Sequence, residues 1–392
     1  MAFFFIGCVS EELTSARLYI QQKNWVKAEE FLLKAMEVEP ENPEVYYSLG
    51  EHIYAKKKDW GNMNKMFDMA LEIDSNRIIL QERTVQEYVE QARYEHWRKE
   101  YNKGVNTFQK YQKKLEVVRA ELLQLKLEAA KTPEENEELY NRLKTEQNKL
   151  KEKEKSLKKY VRRSIKNFEI AVQIYPEKIE NYLNLSTCYY ENGDSEKSIN
   201  AAKKGADINP ENFMVNLTAG QKLNNNEDKR GALPYLKKAV ELDSQSSVAI
   251  QLLAQVYYDL GQQKEAVETY KIAIEKESDK KVKADLYFNL GVIYNQMGSF
   301  DDAELAFDEA YYLNDQDFEA VMGMARAFEG LGDKYKDGTD GVEKDLSKAA
   351  RWYKKAEKKI KDAKSIDIEN EHEYSKQLEL IRYKRNYVEG LQ

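Results

Sequence analysis

The chain has 392 residues and a formal net charge of -7, a balance that argues against wholesale nucleic-acid binding. Hydrophobic residues reach 42 %, with 27 Tyr, which excludes a chain too polar to fold. Only 17 Gly and 6 Pro punctuate it, so long helices with few turns are expected. That length exceeds one ordinary core but suits a stack of repeats. No run of 18 apolar residues occurs, so the sequence offers no membrane-spanning helix.

The first element, Met1-Ala2-Phe3-Phe4-Phe5-Ile6-Gly7-Cys8, is apolar and ends in Gly-Cys. Its tail, Phe5-Ile6-Gly7-Cys8, resembles the lipobox of bacterial lipoproteins, with Phe where Leu is usual. That resemblance implies a remnant of a lipoprotein signal over residues 1–8. Cys8 would be acylated, tethering the chain to the bacterial cell envelope. No Lys or Arg precedes the stretch, and it is short for a signal. A start assigned too far downstream accounts for both. The alternative is a greasy cap on the first helix of a cytoplasmic protein.

From residue 9 onward small residues keep a 34-residue step: Ala16 and Gly50, then Ser186, Gly220 and Ala254, then Gly291 and Ala325. The step widens once, to 37, between Ala254 and Gly291. A period of 34 marks a solenoid of helix pairs. In one unit Asn289-Leu290-Gly291-Val292-Ile293-Tyr294 reads as a first helix ended by Gly298. Asp301-Asp302-Ala303 opens the second, with acids where the helix dipole favours them.

These units resemble the tetratricopeptide (TPR) repeat. Residues 247–280 match its pattern with Leu253, Ala254, Tyr257, Gly261, Ala266, Tyr270 and Ala273. Residues 179–212 match with Tyr182, Leu185, Ser186, Tyr189, Gly193, Gly205 and Pro210. Residues 43–76 match with Tyr46, Leu49, Gly50, Phe67 and Ala70, with one extra residue assigned to the turn. Matches also cover 9–42, 213–246 and, across a longer internal loop, 318–356. The resemblance implies an all-α, right-handed TPR superhelix of about eight units. Repeats 1 and 2 would occupy 9–76 and repeats 4 to 8 would occupy 179–356. Capping helices would fill 357–392, the last at about Glu371–Val388.

Between 77 and 178 the beat is lost, returning at Ser164, Phe168, Ala171 and Pro176. That segment is expected to be a third repeat whose first helix lies near Val85–Tyr101, with Trp97 in its core. It carries an inserted helical hairpin at about 112–160. Leu115, Val118, Leu122, Leu125 and Ala129 form a heptad seam on the outgoing limb. Thr132-Pro133-Glu134-Glu135 reads as a capping box that starts the return. Leu139, Leu143, Leu150 and Leu157 face back. From Gln112 to Arg163 there are 15 Lys or Arg against 10 Asp or Glu, so this arm is basic on an acidic chain. The excess lies in Lys149, Lys151, Lys153, Lys155, Lys158, Lys159, Arg162 and Arg163. Two readings stand: a solvated helix face, or docking onto an acidic partner or anionic lipid.

No catalytic, cofactor or metal motif is present. His52, His96 and His372 are dispersed, and Cys188 reads as a core thiol. Asp333–Asp345 has only part of a calcium-loop pattern, with Tyr335 and Lys344 at two ligand places. The expected function is therefore non-enzymatic protein binding. In the TPR family the groove is lined from fixed places on each first helix. Carried over, these give Leu183, Thr187, Tyr190 and Glu191; Leu217, Gln221, Asn224 and Asn225; Gln251, Gln255, Tyr258 and Asp259. Phe288, Val292, Asn295 and Gln296 follow, then Met322, Arg326 and Glu329. Arg326 is the one cation among them, so the cationic carboxylate clamp of chaperone-binding TPR modules is not expected. The partner is a protein or peptide, with no nucleic acid. The alternatives are a cytoplasmic adaptor or oligomerisation scaffold and, more remotely, the regulatory domain of an enzyme.

Overall fold

The computed structural model describes residues 9–80, 82–131, 137–339, 341–367 and 371–391. It is all-α, of the helix-pair solenoid class. The exception among these residues is a short antiparallel ribbon that pairs Ile78 with Thr84 and Ile79 with Arg83. The chain divides into two compact units, residues 1–210 and 211–392.

The first unit holds the pairs Glu11–Gln21 with Trp25–Val38, 43–57 with Trp60–Asp74, Val85–Lys131 with Glu137–Ile174, and Ile179–Asn192 with Ser195–Ile208. The second holds Phe213–Asn225 with Lys229–Leu242, Ser247–Asp259 with Gln263–Lys276, Lys280–Gln296 with Phe300–Leu313, and Phe318–Asp337 with Leu346–Ile366. A single helix, Glu371–Glu389, follows.

Local chemistry sets the boundaries. Ser10, Asn212, Ser246 and Asp317 accept backbone N–H groups of the first turn that no carbonyl could reach. Thr84 and Glu87 form a reciprocal capping box, with N–H···O distances of 2.9 and 3.2 Å, at the start of the longest helix. Gly193 and Gly298 end first helices with φ of +95° and +72°, a conformation that costs an L side chain more than it costs glycine.

The 34-residue beat has a packing cause. A Cβ built on Gly50 would lie 2.6 Å from Phe67, and one on Gly291 would lie 2.9 Å from Phe307. Each bare backbone is a seat for a large residue of the paired helix. Phe67 and Phe307 are fully buried there, each contributing on the order of 2–3 kcal/mol of apolar burial. Ser186 fills the same place in its repeat, and its hydroxyl lies 3.2 Å from that of Ser198 in an otherwise apolar contact.

Two expectations are revised. The extra residue of 43–76 sits inside the first helix, not in the turn: Leu49–Tyr54 is a π-helical turn. Widening the helix by one residue keeps Gly50 over Phe67 and lets Lys58, at φ +58°, end the helix where glycine does elsewhere. The third repeat carries the expected hairpin arm, but as a prolongation of its own two helices. Its first helix runs unbroken for 47 residues and its second for 38, so the arm is both helices prolonged. The repeat's own core lies at their base. Gly104 is the missing member of the beat, since a Cβ on it would lie 2.7 Å from Phe168. Trp97 is buried beside it, stacks 4.7 Å from Tyr101, and donates its indole N–H to Asn181 at 2.8 Å.

Along the arm Leu115, Val118, Leu122, Leu143 and Leu157 are buried between the limbs, with Arg119–Glu154 at 3.1 Å across them. The proposed capping box at Thr132, Pro133 and Glu135 lies outside the described residues, as does Cys8.

Candidate protein-binding surface

In the second unit the first helices of successive repeats touch one another and expose a common inner row. Two hydrogen bonds fix the step between neighbours. Gln296 donates its side-chain amide to the Tyr258 hydroxyl at 2.5 Å, and Asn295 donates to the Gly323 carbonyl at 3.1 Å. Counting each repeat from residues 213, 247, 284 and 318, the ninth place is held by Gln221, Gln255, Val292 and Arg326. Gln221, Gln255 and Arg326 are exposed, and Val292 is half-buried. Leu217, Gln251, Tyr258, Phe288 and Asn295 are half-buried beside them. Phe288 sets its ring edge-on to Phe307 at 5.7 Å, so part of it belongs to the core.

Asn224 falls out of this row. It is buried, and Lys229 donates to its Oδ1 at 2.9 Å while pairing with Asp259 at 3.1 Å. The lysine from the second helix reaches under the turn and takes up both groups. Met322 is also buried, and Glu329 is paired with Lys384 at 2.7 Å.

In the first unit Tyr190 is exposed and Leu183 half-buried, while Thr187 spends its hydroxyl on the Leu183 carbonyl at 3.0 Å. Glu191 accepts the Tyr111 hydroxyl at 2.8 Å, so the base of the arm occupies that place. Burial, and then Glu191, pushes the Tyr111 phenol above its ordinary range.

The arm's cations divide into two groups. Lys158 donates to the Asn192 carbonyl at 3.2 Å and ties the arm to the end of the next helix. Lys153 pairs with Glu121 at 3.5 Å, Lys155 with Glu152 at 2.6 Å, and Lys159 lies 5.5 Å over the Tyr160 ring. Lys149, Lys151, Arg162 and Arg163 are exposed. Tyr111, Arg119, Lys151, Lys155, Lys158 and Glu191 line a cleft of about 540 Å³ at the arm's root.

Groups with conventional reactivity are turned to structural use. Cys188 is fully buried, and burial pushes its thiol up to about 12. Asp333 accepts the Tyr353 hydroxyl at 2.7 Å and Lys384 at 2.8 Å, which commits it to packing rather than to the calcium-like pattern. His96 lies 2.8 Å from Glu51, and burial holds His52 below its ordinary range.

Sequence comparison agrees with this architecture. A family described as TPR repeat matches residues 254–298, and one described as tetratricopeptide repeat matches 179–212 and 284–317. These stretches of the chain are tetratricopeptide repeats. The chain is similar to the protein STIP1 homolog of Dictyostelium discoideum, 35 % identical over 99 residues, which is 24 % of this chain and 17 % of that relative's length. Among solved structures it resembles MamA, at 25 % identity and a TM-score of 0.40, over 48 % of this chain and 95 % of that one. It also resembles YrrB, described as a TPR protein with an unusual peptide-binding site, at 21 % identity and a TM-score of 0.38, over 48 % of this chain and 93 % of that one.

Gly104 is the residue that reading the sequence missed. Its signal was present: it stands seven residues after Trp97, as Gly291 stands seven after Ala284. The unbroken helix around it hid the usual turn.

Proposed function

We propose that this TPR protein is a non-enzymatic scaffold that holds a segment of a partner protein along the inner row of its second unit, with the arm of the first unit as a separate contact. The observation that carries this reading is the ladder Gln221, Gln255 and Arg326. Three exposed polar side chains stand at one place in three of the four repeats of the second unit, Val292 holding that place in the other, with Tyr258 and Phe288 between Gln255 and Arg326. Amides at such spacing can bond an extended backbone, and half-buried aromatics can anchor side chains at low entropic cost. A crosslinking pull-down from native extract tests it, comparing the wild type with Gln255→Ala plus Tyr258→Ala and with deletion of Gln112–Tyr160. Each variant should lose a distinct set of partners. If every partner survives both, the reading falls.

A second reading concerns attachment. The run Phe5-Ile6-Gly7-Cys8 supports a lipid tether through Cys8, set against a cytoplasmic adaptor. Radiolabelled palmitate incorporated by the wild type and lost in Cys8→Ser would support the tether; equal labelling of both would end it.

A further inference from the structure

The helix Glu371–Glu389 reads at first as an end cap. Its contacts assign it a register. Between the repeats that start at 247 and 284, the thirteenth residue of one first helix meets the twelfth of the preceding one, as Gln296 meets Tyr258. Lys384 meets Glu329, the twelfth residue of the repeat that starts at 318, at 2.7 Å. Lys384 therefore stands in a thirteenth place, and the helix is the first helix of a ninth unit counted from residue 372.

Burial supports that count independently. Places three, seven and ten are buried as Leu286, Leu290 and Ile293 in one repeat and as Ala249, Leu253 and Val256 in another. In the final helix the same places are Tyr374, Leu378 and Ile381, all buried. The eighth place is Glu379, exposed, where Gly291 or Ala254 seats a second helix elsewhere. A carboxylate there blocks any further pair from packing in repeat fashion, so that face closes the stack.

The inner face is different. Places nine, twelve and sixteen are Leu380, Tyr383 and Tyr387, with exposures of 51 %, 69 % and 53 %. A face that only capped a solenoid would be polar. This one continues the ladder of Gln221, Gln255, Val292 and Arg326 as an apolar stripe.

Charge narrows the occupant. Glu329, one turn beyond Arg326, would be its natural partner, but Lys384 takes Glu329 and Asp333 together. Among the described residues no ion pair joins Arg326, and it stands exposed at the ninth place of the preceding repeat, the place Leu380 holds in the last helix. We propose that Leu380, Tyr383 and Tyr387 form the anchor end of the binding surface, receiving a peptide segment whose aliphatic or aromatic side chains lie next to a carboxylate that meets Arg326. This rests on the inner-row reading above and assigns that surface its strongest end and its ligand class.

The test uses the full chain and a random-peptide display library. Selected peptides should be enriched in Leu, Ile or Phe next to Asp or Glu. Binding of individual selected peptides, followed by fluorescence anisotropy, should weaken at least about tenfold in Tyr383→Ala plus Tyr387→Ala, as anchor aromatics do. It should persist in Tyr383→Phe plus Tyr387→Phe, and Arg326→Glu should weaken the acidic peptides in particular. Unchanged helical circular dichroism in each variant separates lost binding from lost fold. If Gln255→Ala plus Tyr258→Ala loses the peptides while the tyrosine pair keeps them, the anchor proposal is overturned and the inner-row reading stands. If no peptide is selected, or both pairs keep binding, both fall. Dimerisation of the peptide-free chain that the tyrosine substitutions abolish would assign the stripe to a second copy and overturn the proposal.

Discussion

The repeat at 284–317 and the one that bears the arm are built on the same seat and differ in what leaves it. In the first, Phe307 lies on Gly291 and the helices end within a turn or two, at Gln296 and Leu313. In the second, Phe168 lies on Gly104 in the same way, yet the first helix continues to Lys131 and its partner begins at Glu137. The lesson is that the seat fixes how a pair packs, whereas the turn fixes only its length. An arm can grow at the turn end because nothing in the core depends on where the two helices meet. It needs a seam of its own, which Leu115, Val118, Leu122, Leu143 and Leu157 provide.

The sharpest way to break that comparison is at the seats. Gly291→Val and Gly104→Val each drive a branched side chain into a buried ring, and each should cost about 3 kcal/mol or more by overpacking. Urea unfolding, read separately for the two units, measures both. Closely matched losses would sustain one seat in two settings. A loss at Gly291 alone would show that the arm carries its repeat by other means.

The next effect concerns the final helix. Glu357 is buried and accepts Arg382 at 3.1 Å and Arg385 at 2.5 Å, so it grips that helix from Leu346–Ile366. Glu357→Gln keeps the shape but removes the charge, and should cost about 2 kcal/mol because partly buried guanidinium groups lose their partner. Hydrogen exchange should rise in 371–391 and stay unchanged in the first unit.

Acid should loosen the same contact. Burial raises the Asp333 carboxyl, but hydrogen bonds from Lys384 and Tyr353 outweigh it and hold Asp333 below the usual range. Glu357 is held low in the same sense, its burial outweighed by Lys361, Arg382 and Arg385. The unfolded chain then binds protons more readily than the folded one. The stabilisation is complete above the ordinary carboxylate range and is lost as pH falls below about 4. A pH titration of exchange in 371–391 checks this, and Asp333→Asn should flatten the response.

The smallest effect is a silence. With its thiol pushed up to about 12, Cys188 should resist iodoacetamide at pH 8 in the folded Cys8→Ser protein and react once urea exposes it. Rapid labelling of the native protein would show that the contact beside Ser186 opens readily.

Much of the fold was legible because the repeat is a local rule. Small residues at a fixed step, with a glycine after several of the first helices, need only neighbours in sequence to be read. The register of the inner row followed from the same phase, and it puts Gln221, Gln255 and Arg326 on one face. Asn224 could not be read this way, because its burial depends on where Lys229 sends its ammonium group. The π-helical turn at Leu49–Tyr54 was hidden for a related reason. One surplus residue can go into a turn or a helix, and only packing against Phe67 decides between them.

By itself the sequence determined the helix pairs, their order and the identity of every seat but Gly104, because each depends on side-chain size and helix-end chemistry at fixed spacing. The tertiary structure decided that the arm is the repeat's own helices prolonged, and that Lys384 sets the last helix in the register of a ninth unit. Both are matters of which groups meet across helices far apart in sequence. There a single ion pair, 55 residues across, sets Glu371–Glu389 against the first helix of the preceding repeat.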